Sequence, residues 1–232
     1  MWASLPELLG RGELYATEGL VPFLWNPLAG YLMAGVSFLG YWSWVALHVA
    51  AVLLLRDWRP IGLVLVAYPF WVDTALGNTF TFQVIAGMLA IGGSRRWALG
   101  YLALAVLIPR PVVAPLAVWL LWKQPTIRAP FAVTALGAAA FALASGYAGD
   151  WATTVIGYGH SEIVGRFTLG PSALMGPAWL AIGIPLGVWL TWRGWPGLAG
   201  LAVSPYVFAY YLLIPPMDLA RRTIPAPVRL TG

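Results

Sequence analysis

Apolar residues run along this chain in long blocks, and the polar positions fall between them. Residues 31–55 contain no Asp, Glu, Lys or Arg, which predicts one membrane-spanning helix closed by Arg56, Asp57 and Arg59. Residues 60–72 form a shorter apolar block, followed by Asp73; residues 74–94 are uncharged, with a polar start and an apolar end, and Arg95 and Arg96 stop them. Residues 97–109 and 111–122 are again short and are separated by Arg110. These four short blocks predict two hairpins that turn at or near one membrane face, where irregular backbone must be buried in protein or line a wet cavity. Residues 129–149 predict a full span, residues 167–192 another that starts near Gly176, and residues 194–217 the last. The expected architecture is all-α: a polytopic integral membrane bundle of about eight segments, four long and four short.

Composition removes the soluble alternatives. Of the 232 residues, 60% are hydrophobic and 9% are charged, whereas a soluble domain carries about 25% charged residues to keep its surface wet. A soluble enzyme, a nucleic-acid-binding module and a disordered regulator are thereby excluded, and no nucleic-acid partner is expected. There is no cysteine, so no disulfide or thiolate chemistry is available. The chain reads as a single membrane domain: residues 1–26 extracytoplasmic and partly amphipathic at the interface, 27–218 the helical bundle, and 219–232 a tail.

Charge placement sets an expected orientation. With the N-terminus outside, Arg56, Arg59, Arg95, Arg96, Lys123, Arg128 and Arg193 share one side, with Asp57 as their only acidic neighbour. That side is expected to be cytoplasmic. The other acids, Asp218 included, then fall outside, and Arg221, Arg222 and Arg229 stand as an exception to the rule. Trp58, Trp97, Trp122, Trp192 and Trp195 flank the basic groups as interfacial anchors.

Ionisable residues at membrane depth are candidates for chemistry because burying their charge is costly. Asp73 is either a turn carboxylate or a group facing a polar cavity. Arg110, between Pro109 and Pro111, is either an interfacial anchor or a phosphate ligand, since its planar fork donates two parallel hydrogen bonds. His48 reads as an imidazole bonded to a neighbouring helix. The loop of residues 158–166 brings His160, Glu162 and Arg166 together, either as a solvated loop or as a head-group binder. Asn78 with Thr81, and Thr79 with Gln83, lie on common faces at three- and four-residue spacing, either bonding helix to helix or lining a hydrophilic path. The two histidines have no partners at metal-site spacing, so no metal is expected.

Four stretches carry a family resemblance. They are Gly12-Glu-Leu-Tyr15 through Pro22-Phe-Leu-Trp-Asn-Pro-Leu-Ala29; Gly77-Asn-Thr-Phe80 through Ser94-Arg-Arg-Trp97; Ile108-Pro-Arg-Pro111; and Val203-Ser-Pro-Tyr206 through Tyr210-Tyr211 to Ile214-Pro-Pro216. In this order the chain resembles the GT-C membrane glycosyltransferases, in particular the glycosyltransferase family 87 group of polyprenol-phosphate-mannose-dependent mannosyltransferases. Beside that family the chain is expected to be trimmed at both ends, without the loop that carries the family's catalytic Asp.

The resemblance implies inverting transfer of a mannose-like sugar from a polyprenyl-phosphate donor, on the outer face of the bacterial cytoplasmic membrane, with no further cofactor. Asp73, Glu13 or Glu18 would stand in as the catalytic base. Arg110, Arg166, His160, Glu162, Asn78, Gln83, Tyr210 and Tyr211 would bind substrate, the two tyrosines falling where the family has a His pair. The alternative is a non-catalytic descendant of that fold, a scaffold or lipid-binding subunit beside other membrane subunits. Membrane lipids are the expected surroundings in either case.

Overall fold

In a computed structural model the described residues are 25–36, 38–158 and 167–223, together with Glu7, Gly10, Arg11, Leu14 and Tyr15. Among them every regular element is helical, as the block pattern predicts. In chain order they are α1 (Pro27–Gly35), α2 (Tyr41–Leu53), α3 (Trp58–Val66), α4 (Tyr68–Ala75), α5 (Phe80–Ile91), α6 (Arg95–Leu107), α7 (Ala114–Lys123), α8 (Arg128–Ala144), α9 (Ala148–Tyr158), α10 (Pro171–Met175), α11 (Leu180–Arg193), α12 (Pro196–Val203) and α13 (Pro216–Thr223). Short 3-10 turns at Pro111–Val113, Pro125–Ile127, Gly176–Trp179 and Ala209–Leu213 join or extend them.

One continuous helix, Pro125–Ala144, is long and apolar enough to cross a membrane. Its 20 residues span about 30 Å. The others are shorter than the apolar blocks that contain them, and the breaks have local causes. Residues 31–55 do not form one helix. Gly35 and Gly40 flank a turn that separates α1 from α2, and α2 begins from an extended Gly40. At 13 residues, α2 is about 20 Å long. Residues 194–217 also divide. Ser204 precedes Pro205 and is extended, with ψ 125°, because a proline ring disfavours the helical region for the residue before it. The chain resumes helix at Pro216, where a missing N–H costs nothing in the first turn.

The second break moves the end of the chain. The carboxylate of Asp218 in α13 accepts the Gly197 and Leu198 N–H groups, at 2.9 and 2.8 Å. It therefore caps the start of α12, one turn from Gly194 and Trp195. Asp218 thus lies at the Arg193 end of this pair of segments and not at the opposite end, where the single span predicts it. Arg221 and Arg222 follow it in the sequence of α13, and Arg229 lies outside the described residues. Replacing Asp218 by Ala removes both acceptors from a buried helix start. We expect a loss of about 1–2 kcal/mol, read as a lower unfolding midpoint in detergent, while Asp218→Asn recovers part of it.

α5 is the central element, buried along most of its length against α2, α4, α6 and α13. Its turn into α6 is tight: Gly93 has φ +93°, a conformation other residues rarely adopt, and the Ser94 hydroxyl then caps α6 at the Trp97 N–H. α11 and α12 pack through small residues. A Cβ added at Gly183 would lie 2.1 Å from the Ala202 carbonyl oxygen, and one at Gly187 would lie 2.3 Å from a Val203 methyl. Such spacing lets helix backbones approach closely in apolar surroundings. At the other end of the bundle, Tyr15 donates to the Trp25 carbonyl at 2.5 Å and stacks edge-on against Tyr147. Burial, aided by Tyr147 and Asp150, pushes the Tyr15 phenol far above the ordinary range, so it remains a neutral donor.

The polarity is reversed from that of a water-soluble domain. Asn26, His48, Asp73, Thr74, Thr79, Thr81, Gln83, Ser204 and Asp218 are buried, whereas Phe38, Trp42, Trp58, Val66, Ile156, Leu174 and Trp192 are largely exposed.

Candidate functional site

The buried polar residues gather around the start of α5. Asp73, in the last turns of α4, is fully buried. Its Oδ2 accepts the Thr81 N–H and the Thr81 hydroxyl, each at 2.7 Å. Thr81 is in the first turn of α5, so Asp73 supplies from outside the helix the acceptor and negative charge that a helix start favours. The turn between them is closed by the Asn78 N–H, which donates to the Asp73 carbonyl at 2.9 Å. The other carboxylate oxygen, Oδ1, is buried and has no hydrogen-bond partner among the described residues.

His48 stands beside this carboxylate, its Nε2 3.8 Å from Asp73 Oδ2. Nε2 is also 2.9 Å from the Asn78 carbonyl oxygen, and Nδ1 is 3.0 Å from the Trp44 carbonyl oxygen in its own helix. A carbonyl only accepts, so a neutral ring donates to one of the two. A ring protonated at both nitrogens would donate to both, with Asp73 as its counter-charge. The rings of Trp44, Phe70 and Phe82 wall the imidazole.

Arg110 approaches from the other side. It is held extended between Pro109 and Pro111, with φ −139° and ψ 135°, as a residue before proline prefers. Its Nη2 donates to Asn78 Oδ1, which also accepts the Thr79 N–H at 2.9 Å. The guanidinium carbon lies 5.2 Å from the Phe80 ring centre and 5.7 Å from that of Tyr210, within cation–π range of both. Arg110 Nη1 is buried and has no hydrogen-bond partner among the described residues. The turn after Arg110 is anchored by the Tyr101 hydroxyl, which donates to the Val113 carbonyl at 2.8 Å.

The structure therefore joins Asp73, Asn78, Arg110 and Tyr210, four of the residues singled out from the sequence, through one chain of contacts. Tyr211 is buried behind them, packed on Phe80 and Tyr210. Gln83 has a structural duty. Its Nε2 donates to the Leu104 and Ile108 carbonyls, at 3.1 and 3.0 Å, tying α5 to the end of α6, while its Oε1 is buried without a hydrogen-bond partner among the described residues. The helical pairings expected for Asn78 with Thr81 and Thr79 with Gln83 do not occur. The helix starts at Phe80, so Asn78 and Thr79 precede it, and Asn78 turns to Arg110 while Thr81 turns to Asp73. Glu13, Glu18, His160, Glu162 and Arg166 lie outside the described residues. Among the described residues no group of three His, Cys, Asp or Glu could hold a metal ion.

Sequence reasoning named Thr81 only as part of a polar stretch and passed over Phe80 as a site residue. Phe80 shows no signal of its own, because its place under a guanidinium depends on where residues 108–111 return. No protein-family model, curated protein or solved structure matches the chain.

Proposed function

We propose that this protein is a polytopic membrane protein of GT-C type that transfers a mannose-like sugar from a polyprenyl-phosphate donor to an acceptor hydroxyl, on the extracytoplasmic side of a bacterial cytoplasmic membrane. The observation that carries this reading is the pair of open groups in one buried cluster: Asp73 Oδ1, an acceptor, and Arg110 Nη1, a charged donor. The exposed apolar surface and buried polar seam support the membrane setting, with short helices pairing to make up the about eight segments.

In this chemistry Asp73 takes the proton of the acceptor hydroxyl. The acceptor oxygen forms a bond to the anomeric carbon as the carbon–oxygen bond to phosphate breaks, and the electron pair leaves with the polyprenyl phosphate. Arg110 receives the charge that develops on that phosphate. Asn78 fixes the guanidinium plane and the two aromatic rings flank it, so little orientation remains to be found on binding.

The second reading, a non-catalytic lipid-binding subunit, is favoured by one feature. Asp73 already serves α5 through Oδ2 and is fully buried, as a purely structural cap would be.

The test is transfer of radiolabelled sugar from a polyprenyl-phosphate donor by the purified protein in proteoliposomes. Arg110→Ala leaves Asn78 and the cluster without their cation, which costs about 2–4 kcal/mol, or roughly 30- to 700-fold in donor affinity. Arg110→Lys keeps the charge but loses the fork and recovers only part. Wild-type protein that binds the donor without transferring its sugar to any acceptor supports the subunit; wild-type protein that does not bind it removes both readings.

A further inference from the structure

Apart from that cluster, the turn between α11 and α12 holds an open groove of about 410 Å³, lined by Trp189, Leu190, Arg193, Trp195 and Leu198. Its walls are apolar and its one charge is Arg193. The guanidinium carbon of Arg193 lies 5.5 Å from the Trp189 ring centre, and among the described residues Arg193 has no acidic partner. Gly194, left-handed at φ +82°, ends α11 beneath it. Asp218 reaches the same place from α13, bonding the Leu198 N–H. Arg193 thus stands beside a slot whose walls suit hydrocarbon.

We propose that this groove binds an anionic phospholipid, its phosphate on Arg193 and the upper part of its acyl chains against Trp189, Leu190 and Leu198. The reading rests on the membrane placement but not on sugar transfer. The physical case is complementarity. A guanidinium prefers a phosphate it can meet with two parallel hydrogen bonds, Trp side chains favour the head-group level, and basic pockets between membrane helices suit anionic head groups. Arg59 makes a similar stack on Trp58, at 5.6 Å, and serves as a control cation at another helix end.

The experiment is native mass spectrometry of the full chain in detergent, offered equal amounts of phosphatidylglycerol and phosphatidylcholine with identical acyl chains. Wild type is expected to retain phosphatidylglycerol preferentially. Arg193→Ala should lower that retention about fivefold, the worth of one cation at a membrane surface, and Arg59→Ala should leave it unchanged. Leu198→Trp fills the groove with the charge intact and should lower retention of both lipids. Equal retention of the two lipids by wild type overturns the proposal, as does an equal loss in Arg193→Ala and Arg59→Ala, an unaffected Leu198→Trp, or displacement of the lipid by inorganic phosphate alone. Carbonate extraction separates the levels of the argument. A chain stripped from membranes removes the membrane reading and this proposal together; a chain that stays but shows no dependence on Arg193 removes this proposal alone.

Discussion

Asp73→Ala is expected to cost about 3–5 kcal/mol of stability, while Asp73→Asn keeps the fold and, under the proposed mechanism, abolishes sugar transfer. The alanine variant removes the acceptor of two bonds from Thr81, each 2.7 Å long, and leaves the first turn of α5 with a buried, unmet N–H. It also leaves the buried Thr81 hydroxyl without its acceptor, and a buried polar group left unsatisfied carries its full desolvation penalty. Asparagine still offers an oxygen to Thr81, so the helix start survives at about 1 kcal/mol of cost. It cannot accept a proton from an acceptor hydroxyl. Unfolding midpoints in detergent and transfer assays on the same preparations separate the two effects. Full transfer by a folded Asp73→Asn would show that another group is the base.

Gly200→Ala is expected to act on both the fold and the site. A Cβ there would lie 2.1 Å from the Val112 carbonyl oxygen. That atom is backbone, so no rotamer change relieves the clash, and α12 must withdraw from the turn at Pro111–Val113. Forced overpacking of this kind costs about 1–3 kcal/mol. Val112 is two residues beyond Arg110, so the displacement carries the guanidinium with it, and donor affinity should fall in the same variant. Gly100→Ala in α6 is the control. Nothing lies within 4 Å of its added Cβ, and it should be neutral or stabilising by roughly 0.5–1 kcal/mol. A Gly200→Ala protein as stable as Gly100→Ala would disprove the close approach.

Much of this architecture was legible in the blocks of apolar residues. The all-α class followed from them, and the bounds of α6 and α7 lie close to those read from Arg95, Arg110 and Lys123, whereas residues 60–72 divide between α3 and α4 at Ala67. The interruptions were harder. Glycines at 35 and 40, and prolines at 205, 215 and 216, divide stretches whose hydropathy alone reads as continuous, because hydropathy is blind to φ and ψ. Asp73 and Arg110 stood out because an ionisable side chain among apolar neighbours is conspicuous. Their connection was not readable. Asn78 joins Arg110 across 32 positions, and His48 approaches Asp73 across 25, distances that only the completed fold closes. The charge rule misplaced Asp218 for a related reason: it assumed that each apolar block crosses once, whereas Ser204-Pro205 allows the last block to double back.

The cap on α12 also orders events during synthesis. A chain is made from its N-terminus, so Gly197 and Leu198 emerge 20 or more residues before Asp218, which receives their N–H groups. Until then the start of α12 has no carboxylate to meet it, and the α11–α12 hairpin enters its apolar surroundings with donors exposed. α5 faces no such delay, since Asp73 precedes Thr81 by eight residues. One half of the bundle can therefore settle as it is made, while the other waits for its final segment to arrive, and that interval is when a membrane insertase or chaperone would have most to protect.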